Sequence, residues 1–132
     1  MEPIFTKGAK APEAVFTGTV FVNMLVPDTD DVYDLQTYDV IFEAGGRTNW
    51  HTHPGGQILL VTDGKGWYQE RGKTAQPLKK GDIVNIPPDV EHWHGATSDN
   101  DFTHIGISPN LHKGGAVWLE PVSDTEYKAL VE

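Results

Sequence analysis

The feature that most restricts this chain is its punctuation by glycine and proline. Among 132 residues, 14 Gly and 9 Pro divide the sequence into short apolar runs, too short to carry an apolar stripe through the turns of a long helix. FTGTVFVNMLV at 16–26, LQTYDVIFE at 35–43, ILLVT at 58–62, DIVNI at 82–86 and FTHIGIS at 102–108 are rich in β-branched and aromatic residues, which pack well on a pleated surface. Turn signals about every 8 to 12 residues then describe an all-β fold, a sandwich or a small barrel. At this length one core is filled and two are not, so a single domain spanning 1–132 is expected.

Charge and cysteine content narrow the partners. The formal net charge is −9, which disfavours nucleic acid and anionic membrane and leaves a small, weakly charged or neutral molecule as the expected ligand. Cysteine is absent, which excludes disulfides and thiolate chemistry. Residues 1–14, with Pro3, Gly8 and Pro12, read as an arm with little structure of its own. The arm lacks the basic stretch and apolar core of an export signal, and no apolar run nears about 18 residues. A cytoplasmic protein is therefore expected.

Five of the six histidines fall between 51 and 104. His51 and His53 stand two apart in a strand-like run, so both rings leave one face of the pleat. Pro54-Gly55-Gly56 turns the chain, and Gln57 opens the next run. Two imidazoles and an amide oxygen can thus converge from adjacent strands, which is how an all-β protein builds a metal site. His92 and His94 repeat the spacing after the Pro87-Pro88 turn.

These segments resemble the cupin family. Gly45, His51, His53, Gln57 and Gly64 match the spacing of its first motif over 45–64, with Gln where Glu is usual. Gly81, Pro87 and His92 resemble its second motif over 81–96, with Asp89 in the usual Gly position and Ala96 in the usual Asn position. The resemblance implies a cupin double-stranded β-helix, a jelly-roll-like barrel, holding a divalent transition metal on His51, His53, Gln57 and His92. All four ligands are neutral, so the cation keeps its full charge. Such a nitrogen-rich site accepts Mn, Fe, Co, Ni, Cu or Zn, and affinity alone favours Cu.

Within the family, NWHTHPGGQ, HWHGA, His104 and the tail WLEPVSDTEY resemble small single-domain bacterial cupins, some of which are manganese-dependent hydroxynitrile lyases. The resemblance to manganese-dependent members implies Mn as the metal, with Fe, Ni, Co and Zn as alternatives. It also implies cleavage of a small hydroxyl compound such as a cyanohydrin, with His94 and His104 lining the pocket and one or the other taking the proton. A packed core histidine is the alternative at each. Two other functions stay open. One is a dioxygenase of a small aromatic substrate, which the neutral Gln57 disfavours; the other is a non-catalytic cupin that binds a small molecule.

The remaining segments support this frame. Tyr38, Val40 and Phe42 share a face of their strand, and Phe102, His104, Gly106 and Ser108 share a face of theirs. If these faces point inward, Tyr38, Val40 and Ser108 belong to the substrate pocket. Trp50 and Trp93 point away from their histidine neighbours and are read as packing residues. Asp28 to Asp34 is a solvated acidic loop in preference to a calcium site, because it lacks the Gly and Glu of an EF-hand. Asp63-Gly64-Lys65-Gly66 signals a hairpin. His112 is a solvent histidine. Ser123 and Glu126 form a capping-box pattern ahead of Tyr127, Leu130 and Val131, so a short C-terminal helix is expected on the outside of the barrel. Phe16 to Val26 is apolar on both faces, and a homodimer or higher homo-oligomer joined through it is expected. Imidazole ligands must be neutral, so metal is expected to leave below about pH 6.

Overall fold

The computed structural model describes residues 3–27 and 32–130. Their strands are β1 (Ala9–Lys10), β2 (Phe16–Thr17), β3 (Val20–Val26), β4 (Leu35–Phe42), β5 (Arg47–Thr48), β6 (His51–Thr52), β7 (Gln57–Glu70), β8 (Gln76–Lys79), β9 (Ile83–Ile86), β10 (His92–Ala96), β11 (Phe102–Pro109) and β12 (Val117–Trp118). A 3-10 turn at Leu111–Lys113 and the helix α1 (Asp124–Lys128) complete them. Every strand pairing is antiparallel. One sheet runs β1-β3-β4-β11-β7-β9. The other joins β8, β7, β10, β5 and β2, with β6 on β10 and β12 on β6.

β7 belongs to both sheets and curls one onto the other. Residues 57–64 pair with β9 and β11, and residues 65–70 pair with β8 and β10. The hairpin expected at Asp63 to Gly66 is therefore absent; the strand bends there and continues. Gly64 has φ 79°, and a Cβ at this position would overlap the Asp101 carbonyl. Its backbone freedom makes a corner between sheets instead of a reversal of the chain.

Two other expectations change at the N-terminus. The run from Phe16 to Val26 is not one strand: Gly18, at φ 79°, separates β2, which pairs with β5, from β3, which pairs with β1 and β4. The arm also has structure of its own, because Ala9 and Lys10 lie opposite Val22 and Phe21 on the edge of β3, and Ala11 is buried. Of the acidic loop, residues 28–31 lie outside the described residues, as does Val131.

The inward faces follow the alternation in sequence. In β11, Phe102, His104, Gly106 and Ser108 are all turned inward, lying opposite Phe42, Val40, Tyr38 and Gln36 of β4. Phe42, Phe102, Val20, Leu59, Val61 and Ile86 belong to one apolar core cluster. A second cluster, Trp50, Trp67, Trp93, Val122 and Tyr127, lies beneath α1. The helix starts with the expected capping box between Ser123 and Glu126. It is held to the barrel by Tyr127, whose hydroxyl donates to the Ala96 carbonyl at 2.6 Å, and by Arg47, which donates to Asp124 at 2.9 Å and lies 4.2 Å from the Tyr127 ring. Among the described residues no helix is long and apolar enough to cross a membrane.

Candidate metal centre

Strand register brings the two histidine pairs together. β10 pairs with β6 so that His92 lies directly opposite His51, and their ring centroids are 4.3 Å apart. His53 follows β6 on the same side, 5.1 Å from His51 and 5.8 Å from His92. One ligand nitrogen from each of the three falls within 4.8 Å of the other two, a span close to what one cation with bonds of about 2.1 Å bridges.

The backbone decides which nitrogen each ring offers. His51 Nδ1 lies 2.9 Å from the Asn49 carbonyl and His92 Nδ1 lies 2.8 Å from the Val90 carbonyl. A carbonyl only accepts, so both rings carry their hydrogen on Nδ1 and present a lone pair at Nε2. Sequence reading missed these two carbonyls. The signal was local: each lies two residues before its histidine.

Gln57, the fourth expected ligand, lies beside them. Its Nε2 donates to the Tyr38 hydroxyl at 2.6 Å, which turns Oε1 toward His92 Nε2 at 3.1 Å. Two lone pairs therefore face each other with no hydrogen between them. A cation shared by both is the occupant that relieves this contact, so the donor set of His51, His53, Gln57 and His92 fits a divalent metal.

Burial keeps these rings neutral. It lowers His53 to about 4, with help from neighbouring His92. It also lowers His92 to about 4, against the opposing pull of the Val90 carbonyl and Glu70. His51 lies well below the ordinary histidine range, through burial first and then the nearby His92 and His53. Protonation of His53 and His92 thus sets in near pH 4, below the value near 6 expected from free histidines.

His94 and His104 form a pair beside the ligands. His94 Nδ1 and His104 Nε2 are 3.0 Å apart, and His94 lies 5.4 Å from His51 between ring centroids. Burial, then His104, pushes His94 well down, and burial lowers His104 to about 3. His94 Nε2 and His104 Nδ1 are buried without a hydrogen-bond partner. His94 reaches the wall of a cavity of about 430 Å³, which is also lined by His51, His53, Gln57, Tyr38, Val40 and Ser108. His104 sits behind His94, against Phe42 and Phe102.

The cavity is also lined by parts whose role was not legible beforehand. Ala9 to Pro12 of the arm, Phe16, Met24, Leu111 and Trp118 line it, and the Trp118 ring lies 4.7 Å from His51. His112 is exposed, as expected. Its ring contacts the Asp34 carboxylate, whose other oxygen accepts the His112 backbone N–H at 2.9 Å.

Fold and site together define a β-barrel protein with a histidine-rich centre lining a cavity. The chain belongs to the cupin family, for the Cupin domain model matches residues 38–107, from β4 into β11. It is 40% identical over 119 residues, 90% of each chain, to an (R)-mandelonitrile lyase of Granulicella tundricola. It is similar to the crystal structure of a cupin-like protein from Thermotoga maritima, at 57% identity and a TM-score of 0.95 over 97% of this chain and 96% of that one. A predicted oxalate decarboxylase of T. maritima shares the fold, with a TM-score of 0.69 at 17% identity over 86% of this chain and 93% of that one.

Proposed function

We propose that this cupin is a metal-dependent lyase that splits a cyanohydrin into an aldehyde or ketone and hydrogen cyanide. The observation that carries the reading is His94, whose buried Nε2 has no hydrogen-bond partner and which lines a cavity together with three of the metal-ligand side chains. The relationship to a protein named as an (R)-mandelonitrile lyase, at 40% identity, supports the choice of substrate.

His51, His53, Gln57 and His92 would hold a divalent cation, Mn²⁺ in this reading, which would supply the Lewis acidity that lowers the pKa of a substrate hydroxyl. His94 is the base: with its hydrogen on Nδ1, donated to His104 Nε2, its Nε2 lone pair is free to take the hydroxyl proton. As that proton moves, the bond between the carbinol carbon and the nitrile carbon breaks, and its electron pair leaves with cyanide. The proton on His94 then passes to cyanide, so aldehyde and HCN account for every atom of the substrate. His104 holds the His94 ring in its tautomer and orientation. Phe16, Val22, Val40 and Met24 give the cavity apolar walls, suited to an aryl or alkyl substituent.

The test is cyanide release from mandelonitrile by Mn²⁺-loaded protein, with benzaldehyde formed in equal amount. His94→Ala is expected to lower the rate about 100-fold or more while retaining the metal. No cyanide release by the loaded wild type would overturn the lyase reading. Oxygen uptake with catechol would point to the dioxygenase, and tight ligand binding without turnover to the binding protein.

A further inference from the structure

Tyr38 lines the cavity, but its hydroxyl is engaged on both sides. It accepts from Gln57 Nε2 at 2.6 Å and lies 2.7 Å from Ser108 Oγ. Because the hydroxyl receives the amide hydrogen, its own hydrogen is free to be donated to Ser108. The ring has space for this because position 106 is glycine; a Cβ there would overlap Tyr38 Cε2. Ser108 is itself buried, and Tyr38 is its hydrogen-bond partner.

The amide could face His92 in either of two ways. With its NH₂ forward, it would donate to the His92 Nε2 lone pair and close off two ligands at once. With its oxygen forward, as observed, both lone pairs stay open to a cation. We propose that Tyr38 and Ser108 form a hydrogen-bond chain that holds the Gln57 amide in its metal-competent orientation, which makes Tyr38 a positioning residue for the oxygen ligand. When Ser108 accepts the Tyr38 hydrogen, Tyr38 presents a lone pair to Gln57, which holds the NH₂ away from the metal site. The inference rests on the metal centre of the proposed function, but not on the reaction assigned to it.

A carboxylate at position 57 would have no wrong way round, and this separates orientation from packing. Metal-free wild type, Tyr38→Phe, Ser108→Ala, Gln57→Glu and the two double variants with Gln57→Glu are titrated with Mn²⁺ by calorimetry, and with Co²⁺ by visible absorption. Tyr38→Phe keeps the ring, and circular dichroism checks the fold of each variant. Tyr38→Phe and Ser108→Ala are each expected to weaken Mn²⁺ binding about tenfold and to alter the Co²⁺ bands. In the Gln57→Glu background, the same changes are expected to shift affinity less than about twofold. Binding by both single variants within about twofold of wild type would overturn the proposal. So would an equal loss in the Gln57→Glu background, or a wild type that takes up neither ion. Because the readout is binding, the expected pattern supports the role of Tyr38 whether or not cyanide is released.

Discussion

A neutral imidazole binds metal through one lone pair, and at His51 and His92 the chain chooses it by placing a carbonyl against Nδ1. Elemental analysis is therefore expected to find close to one transition-metal ion per wild-type chain and almost none in His51→Ala or His92→Ala, each of which removes one of three clustered nitrogens. An equal metal content in wild type and both variants would place the ion elsewhere. At this scale the histidine spacing was readable in sequence, since period-two geometry puts both members of each pair on one face. The tautomers were not readable, because they depend on where two carbonyls sit in space.

At the scale of elements, β7 determines the architecture. Its bend at Gly64 combines a left-handed φ with backbone packed against Asp101, so Gly64→Ala meets strain and overlap together. Its cost is expected at about 3 kcal/mol or more, seen as a large fall in the denaturant midpoint or as failure to fold. Ser123→Ala is the milder contrast. Loss of the cap on α1 costs about 1 kcal/mol, read as about 4 °C in Tm, with metal uptake unchanged. The capping box was legible because it is a pattern within four residues. The bend was misread as a hairpin because Asp-Gly-Lys-Gly has suitable turn chemistry, and only the pairing of β7 with β8 through β11 shows that the strand continues.

For the whole molecule, acid is the informative variable. His53 and His92 titrate at about 4 in the fold and His104 at about 3, against about 6.5 in the unfolded chain. As pH falls below 6.5 the unfolded state takes up protons first, so stability is lost between about 6.5 and 3 and is unaffected by these groups above about 7. Thermal melts of metal-free protein are expected to follow that course, and the loaded protein is expected to retain its ion at pH 5 and release it near 4. A Tm independent of pH between 7 and 4 would contradict the burial of these rings. Light scattering checks the expected homodimer or higher homo-oligomer, which should give at least twice the chain mass of 14.6 kDa. Met24, Val26 and Trp118 are among the exposed apolar residues available to such a contact.

Local pattern in the sequence determined the all-β class, the two histidine pairs with Gln57, and the capped helix, because each rests on periodicity or on residues within a few positions of one another. Tertiary structure decided what depends on distant segments meeting. It set the register that puts His51 opposite His92, the placement of His104 behind His94, and the closure of the cavity by the arm and Trp118. It also decided the chain from Ser108 through Tyr38 to Gln57. Those contacts span up to 70 residues, and strand pairing across the curled sheet, which no local pattern encodes, is what brings them within hydrogen-bond reach.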